Sequence, residues 1–474
     1  MRWEKPLIYL FNTPLGYYIF DVNRNRIIKT QKPVYEALSK EQSVGEAAAA
    51  AWESEEKSII DGLKEDGFLS SFRSSEIRHP KDDMLESILD GSVPKITLQI
   101  TQACNLRCRY CPYSNNDGVS QRQHANNAMS FDIAKKSIDF LINHSKDLRQ
   151  INIGFYGGEP LLEFELIKKC VAYANDKAEG KNLTYSMTTN GTLLDEEKVE
   201  FLQENNVMLV ISLDGPRENH DRNRRFAVNG CGTFDTIMER IERLKLKYPE
   251  YIAKVAFNIV IDPEADFCST NDFYMGFDAV KGARLSSTVI DTKFSNEGLN
   301  FTEDYVIKRS YETYKMYLNK LGKLDKQYVS PISEREFYIF QAFVDDFVPS
   351  YRLPETVHHG GPCVPGGQRL FIDINGNMFP CERCSETSEV MKIGHIDTGF
   401  DIDKARVLLN IGKLTESECK NCWAIRGCRL CATMADNVKE LSAELKRGHC
   451  RMSRNIYESN LKDYAVLKEL GYTF

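Results

Sequence analysis

The stretch Lys95-Ile-Thr-Leu-Gln-Ile-Thr101, followed by Gln102-Ala-Cys104-Asn-Leu-Arg-Cys108-Arg-Tyr-Cys111, decides how this chain is read. The first part is rich in β-branched and apolar residues and reads as a buried strand. The second part places three cysteines at C-x3-C-x2-C spacing in the loop that follows. In folds of alternating parallel strands and helices, loops at the carboxyl ends of the strands carry the chemistry. Three thiolates so spaced can hold three irons of a cubane cluster. The fourth iron then has no protein ligand, and such an open position is what metal catalysis uses. The plainer reading is a zinc ion with a distant fourth ligand. The position directly after the first strand of a strand–helix repeat speaks against it.

Downstream, strand-like runs recur at QINIGFY (150–156), LTYSMTT (183–189), VMLVISLD (207–214), KVAFNIVI (254–261) and LSSTVID (285–291). Amphipathic helical segments such as SFDIAKKSIDFLINHS and DEEKVEFLQEN lie between most of them. The pattern predicts an α/β fold with a parallel sheet. Six repeats are too few to close an eight-strand barrel, so the expected form is an open, partial (β/α)6 TIM-like barrel over 90–302. Residues 303–360 read as a bridging region, helical over 303–345 and rich in aromatics. Residues 361–474 read as a loop-rich, cysteine-rich unit held by metal rather than by a large core.

Upstream, PLIYLF, LGYYIFDV and NRIIKT read as three short strands separated by turn residues. PVYEALS, VGEAAAAAW and EEKSIIDGLKEDG read as three short helices, the last ending at a capping glycine, Gly67. Residues 1–75 are thus expected to form a winged-helix-like unit, and the polar stretch SSFRSSEIRHPKDD reads as a linker.

Composition narrows the class. The 474 residues are 42% hydrophobic and 27% charged, ordinary values for a globular chain. No run approaches about 18 apolar residues, so no membrane span is expected. The N-terminus lacks a signal-peptide pattern, which points to the cytoplasm. A net charge of −7 argues against a broad nucleic-acid surface. The 11% aromatic content shows no stacking motif on a basic ribbon. Of fourteen cysteines, only Cys170, Cys231 and Cys268 stand apart. Clustered cysteines without a secretion signal read as metal ligands before disulfides.

With these motifs in place the sequence resembles the radical S-adenosylmethionine (SAM) enzymes. Gly157-Gly158-Glu159-Pro160 follows the second strand, Thr189-Asn190-Gly191-Thr192 ends the third, and Ser212-Leu213-Asp214-Gly215 ends the fourth. His220-Asp221, Arg224 and Gly232-Thr233-Phe234 come next, in the family's order. The resemblance implies a 4Fe–4S cluster on Cys104, Cys108 and Cys111. It implies SAM contacts at Tyr110, Gly157, Gly158, Glu159, Asn190, Ser212 and Arg224. Asp214 is the candidate catalytic residue, or alternatively a carboxylate that braces its own turn.

The later cysteines resemble the SPASM extension of peptide-modifying members. Cys363, Cys381 and Cys384 are followed by Cys419-x2-Cys422-x5-Cys428-x2-Cys431 and then Cys450. The usual spacing between the third and fourth cysteines of this run is x3, so Cys431 departs from the pattern. Two zinc sites are the alternative. The resemblance implies two auxiliary 4Fe–4S clusters. One is held by Cys419, Cys422, Cys428 and Cys450. The other is held by Cys363, Cys381 and Cys431, with Cys384 either completing it or leaving an open iron. Three cubanes with one open iron need about eleven thiolates, and eleven cysteines cluster in this chain. His358-His359, ahead of Gly-Gly-Pro-Cys363, could ligate metal, but a loop pair of histidines more often reads as polar filler.

The three-part layout resembles the sactipeptide and ranthipeptide maturases, in which an N-terminal unit binds the leader of a ribosomally made precursor peptide. The implied activity is formation of a thioether between a cysteine sulfur and a carbon through a 5′-deoxyadenosyl radical, with flavodoxin or ferredoxin as electron donor. The alternatives are a carbon–carbon crosslinking maturase, an anaerobic sulfatase (formylglycine) maturase and, in another class, an iron–sulfur redox-sensing binding protein.

Overall fold

The computed structural model describes residues 5–44, 52–114, 124–291, 298–361 and 363–474. Three antiparallel strands open the chain: β1 (Ile8–Thr13), β2 (Gly16–Asp21) and β3 (Arg26–Thr30), in the order β1-β2-β3. Asn25, at φ 51°, makes the turn into β3. One face of this sheet buries Ile8 and Ile19 against helices Lys32–Val44 and Ser54–Glu65, through Val34, Leu38 and Ile60. The second helix ends as the sequence predicts. Gly67 takes φ +82°, Phe68 N–H donates to the Leu63 carbonyl at 2.9 Å, and Gly67 N–H donates to Lys64 at 3.0 Å. The helix expected over VGEAAAAAW falls mostly on 45–51, outside the described residues.

The stretch expected to be a linker is tied down. Its Glu76–Ile77 forms β4, which pairs in parallel with β11 (Thr356–Val357). Ser74 Oγ donates to the Pro354 carbonyl at 2.8 Å, and His79 N–H donates to Asn410 Oδ1 at 2.8 Å. Its polar residues lend it the composition of a linker, but they serve contacts distant in sequence.

The main sheet contains β5 (Lys95–Thr101), β6 (Gln150–Gly157), β7 (Asn182–Thr189), β8 (Val207–Ser212), β9 (Ala256–Ile261) and β10 (Arg284–Val289). All six are parallel, in sequential order, with helices in every crossover. The sheet remains open. Beyond β5 it continues through β12 (Leu370–Ile372), β13 (Asn377–Phe379), β14 (Gly394–His395) and β15 (Gly399–Phe400), with β12 parallel to β5.

That extension corrects one expectation. The cysteine-rich region is not held by metal alone. Leu370, Phe371, Ile372, Met378, Phe379 and Ile393 belong to the same apolar core as β5 to β9. Strands of two or three residues are too short to show a period, so their membership of the sheet was not readable.

A second, aromatic core joins the ends of the chain. Phe11, Tyr18 and Phe20, on the other face of the N-terminal sheet, pack with Phe340 and Phe343 of helix Pro331–Asp345 and with Tyr457 of helix Ala443–Glu469. Among the described residues no helix is long and apolar enough to cross a membrane.

Candidate active site

The loop after β5 is clamped from two sides. Gly158 N–H donates to the Thr101 carbonyl and Glu159 N–H to the Ala103 carbonyl, each at 2.8 Å. A Cβ on Gly157 would sit 2.2 Å from the Thr101 oxygen, and one on Gly158 would sit 2.0 Å from the Ala103 oxygen. The paired glycines therefore let the β6 loop lie against the cysteine loop. From the other side, Arg107 and Arg109 N–H donate to the carbonyls of Arg225 (2.8 Å) and Asn223 (2.9 Å), and Ala227 N–H donates to Asn105 (2.9 Å).

Glu159 is fully buried. Its Oε1 accepts from Leu161 N–H (3.1 Å) and Thr189 Oγ1 (2.7 Å), and its Oε2 accepts from Asn190 N–H (2.8 Å). Burial raises its pKa, and these donors work against the rise. The carboxylate thus knits the β6 loop to the end of β7. Asn190 passes the tie onward: its Nδ2 donates to Asn105 Oδ1 at 2.9 Å and lies 4.0 Å from Cys104 Sγ. Ser212, also buried, ends β8.

Asp214 sits in a buried cage. Its carboxylate accepts from Arg224 Nε (2.8 Å) and Nη2 (3.3 Å), from Tyr110 Oη (2.6 Å) and from Val260 N–H (2.9 Å). The Arg224 guanidinium also lies over the Tyr110 ring, 5.4 Å from its centroid. Burial opposes the arginine's charge, and Asp214, Tyr110 and Cys108 together outweigh it. Burial pushes the Tyr110 hydroxyl up. This geometry favours the bracing reading of Asp214: it locks Tyr110 of the cysteine loop to Arg224. His220 backs the turn, accepting from Asp214 N–H on Nδ1 (3.2 Å), with Thr233 Oγ1 2.9 Å from Nε2. Asp221 Oδ1 accepts from Thr233 and Phe234 N–H at 2.7 and 2.9 Å and starts the following helix.

The thiols fit an iron–sulfur group by their chemistry. Burial pushes Cys104 and Cys108 up to about 12, so bare thiolates are costly there and need a bound cationic centre. Both feel the charge of Cys111, and Cys108 also feels that of Cys104. Among the described residues no three His, Cys, Asp or Glu side chains converge on one point. A cubane is wider than an ion and does not ask its thiolates to converge on a point.

The later cysteines fall into two sets. Cys422 and Cys450 each feel Cys419 and Cys428. Cys363 feels Cys381 and Cys431, and Cys381 is held below the usual thiol range by a hydrogen bond with Cys384. Cys384 thus lies beside Cys381. Of the lone cysteines, Cys170 is buried in the main core and Cys231 is exposed.

Sequence reasoning missed one network. Gln99, buried on β5, donates to Glu386 Oε1 at 2.6 Å and to Tyr113 Oη at 3.1 Å. Tyr113 Oη in turn donates to Glu386 at 3.1 Å. The available signal was a glutamine in the middle of an apolar strand. A neighbouring cavity on the same sheet is lined by Lys95, Thr97, Ser186, Thr188, Arg369 and Glu382.

The profile of the Radical SAM superfamily matches residues 98–272. An uncharacterized protein of Methanocaldococcus jannaschii, MJ0907, is 39% identical over 150 residues, spanning 32% of this chain and 48% of its own length. The cysteine-type anaerobic sulfatase-maturating enzyme of Clostridium perfringens is 25% identical over 386 residues, 77% of this chain and 96% of the relative. The solved structure of native anSMEcpe with bound AdoMet covers 80% of this chain and all of that one, with a TM-score of 0.60 at 21% identity. The match thus spans about half the length of one curated relative and nearly all of another. Residues 98–272 are a radical SAM domain with homology to the anaerobic sulfatase maturases, and the chain that carries it is an enzyme.

Proposed function

We propose that this chain is a peptide-modifying radical SAM maturase that closes thioether bonds in a ribosomally made precursor. The observation that carries the peptide reading is the edge of β3. Among the described residues β3 pairs only with β2. Half-buried Ile28, Ile59 and Leu63 surround the small core beside it. A leader strand laid along β3 gains main-chain hydrogen bonds and covers that apolar surface. About a fifth of this chain lies outside the likeness to the sulfatase-maturing structure. The N-terminal unit, 1–75, is of about that size.

The residues take these roles. Cys104, Cys108 and Cys111 hold the SAM-binding cluster, and the loops carrying Gly157, Gly158, Glu159, Asn190, Ser212, Arg224 and Tyr110 shape the SAM site. When bound, the cluster and SAM supply a 5′-deoxyadenosyl radical that takes a hydrogen atom from a substrate carbon. Asp214 positions the site by holding Arg224 and Tyr110. Cys419, Cys422, Cys428 and Cys450 hold one auxiliary cluster, and Cys363, Cys381, Cys384 and Cys431 hold the other. Flavodoxin or ferredoxin is the electron donor.

Sulfatase maturation is the second reading, supported by the likeness over 96% of the clostridial relative. The two separate by product. The chain is incubated anaerobically with SAM, reductant and either a cysteine-containing precursor with its leader or a cysteine-type sulfatase peptide. Thioether closure removes two hydrogens and keeps the sulfur, whereas formylglycine formation from cysteine loses the sulfur. Mass spectrometry showing sulfur loss from the sulfatase peptide, with no change in any leader-bearing peptide, would reverse the assignment.

A further inference from the structure

Two buried polar groups beside the Cys419 set have no role in the fold described above. His359 is buried, and neither of its ring nitrogens has a hydrogen-bond partner. Its segment runs against the second cysteine run: a Cβ on Gly361 would sit 2.2 Å from Arg429 Cα. The ring lies beside the Cys428 backbone, a contact too loose to count as a formed hydrogen bond, and it also feels Lys446. The adjacent His358 shows what a satisfied ring in this segment looks like. Its Nδ1 donates to the His359 carbonyl at 3.0 Å, and its Nε2 accepts from Gly412 N–H at 2.9 Å. Ring nitrogens without a formed hydrogen bond in a dry interior are unfavourable, and native structures keep such groups where something else binds them.

Lys446 is also buried. Its ammonium donates to the Ile411 carbonyl (2.9 Å) and to Thr415 Oγ1 (2.7 Å), and lies 3.9 Å from Cys419 Sγ. It sits one helical turn before Cys450, whose Sγ lies 3.7 Å from the Lys446 carbonyl. These partners include no carboxylate. A buried cation needs a counter-charge, and the nearest candidate here is a thiolate-bound cluster.

We propose that Lys446 and His359 are the hydrogen-bond donors to the iron–sulfur cluster at Cys419, Cys422, Cys428 and Cys450, and that they raise its reduction potential. The inference rests on the reading that this cluster is present. Reduction brings in one electron from an external reductant and makes or breaks no bond. The added negative charge is offset by a fixed ammonium and an N–H in a low-dielectric site, so the reduced form gains more than the oxidised one.

The test is a dithionite-poised redox titration of the full-length iron-loaded protein, read by electron paramagnetic resonance. In Lys446→Gln the reduced-to-oxidised ratio of this cluster at fixed potential should fall roughly tenfold or more, the scale of one charge-assisted hydrogen bond. His359→Leu should shift it the same way by less, and Lys446→Arg should restore most of the loss. The signals of the other clusters should not move. In the metal-free chain His359→Leu should leave the melting temperature unchanged or raised. Iron content unaltered by Cys422→Ala would end the reading that this cluster exists. Iron content that depends on Cys422, with potentials unmoved in both variants, would overturn the proposal alone. If Lys446→Gln does not fold, an unmoved potential in His359→Leu decides against it. A metal-free His359→Leu chain that melts lower also decides against it, because a trapped water would then be the partner of the ring.

Discussion

Tyr9 stacks on Trp423 with ring centroids 3.7 Å apart and planes 12° from parallel. Tyr9 belongs to the first strand, and Trp423 follows Cys422 directly. Arg426 adds a second tie, donating from Nε to the Val22 carbonyl (2.6 Å) and from Nη2 to Asn23 (3.0 Å). The N-terminal sheet is therefore part of the support of the second cysteine run.

One consequence is that deleting residues 5–69 does not excise a free module. It would strip the cover from Tyr457, Phe340, Phe343 and Trp423. The truncated chain should aggregate and lose iron from the Cys419 set, as light scattering and iron assay will show. The milder Tyr9→Leu should cost about 0.5–1.5 kcal/mol, the worth of an aromatic pair beyond its area. Denaturant unfolding measures that loss. A truncated chain that stays monomeric with full iron would show the interface to be dispensable.

Gly158→Ala should displace the cysteine loop, because its Cβ would run into the backbone carbonyls of Ala103 and Gln102. The expected cost is about 1–3 kcal/mol, accompanied by reduced iron retention at Cys104, Cys108 and Cys111. Gly62→Ala, in helix Ser54–Glu65 with nothing within 4 Å, is the control. It should stabilise the chain by about 0.5–1 kcal/mol. Thermal melts and iron counts of the two variants check the contrast.

Asp214→Asn should destabilise by about 3–5 kcal/mol, since it leaves the Arg224 guanidinium buried without its charge partner. Arg224→Lys should not rescue function, because an ammonium cannot bridge Asp214 while lying over Tyr110 as a plane. If Asp214→Asn folds normally and loses only turnover, the carboxylate acts on substrate and the bracing role assigned here is wrong.

Stability should fall in mild acid because of buried histidines. Burial lowers His220 to about 3 and His358 to about 4, against an ordinary value of 6.5. Both are therefore neutral when folded and protonated when unfolded at pH 5. Their contribution is full above about 6.5 and is lost as pH falls toward the folded values. Each should remove roughly 2 kcal/mol between pH 7 and pH 5. Urea unfolding of the metal-free chain at both pH values measures this. His220→Gln should flatten the slope, and an unchanged slope would refute the assignment.

How much could be read in advance depended on segment length and on what each side chain does alone. All six long strands and the cysteine loop were legible because KITLQIT and its successors combine apolar runs with turn residues at their ends. The extension by Leu370–Ile372 and its neighbours was not, since three residues show no period. Glu159 was legible as an important carboxylate, but its partners Thr189 and Asn190 N–H are set by the register of β6 on β7. The roles of Gln99, His359 and Lys446 arise only where distant segments meet, so no local pattern marked them.

The most direct measurement is production of 5′-deoxyadenosine from SAM under anaerobic, reducing conditions by the full chain and by its Cys104→Ala/Cys108→Ala/Cys111→Ala variant, with iron counted in both. The account predicts release by the full chain, none by the variant, and a loss of about four irons. Continued 5′-deoxyadenosine release by the variant, or an unchanged iron count, would contradict it.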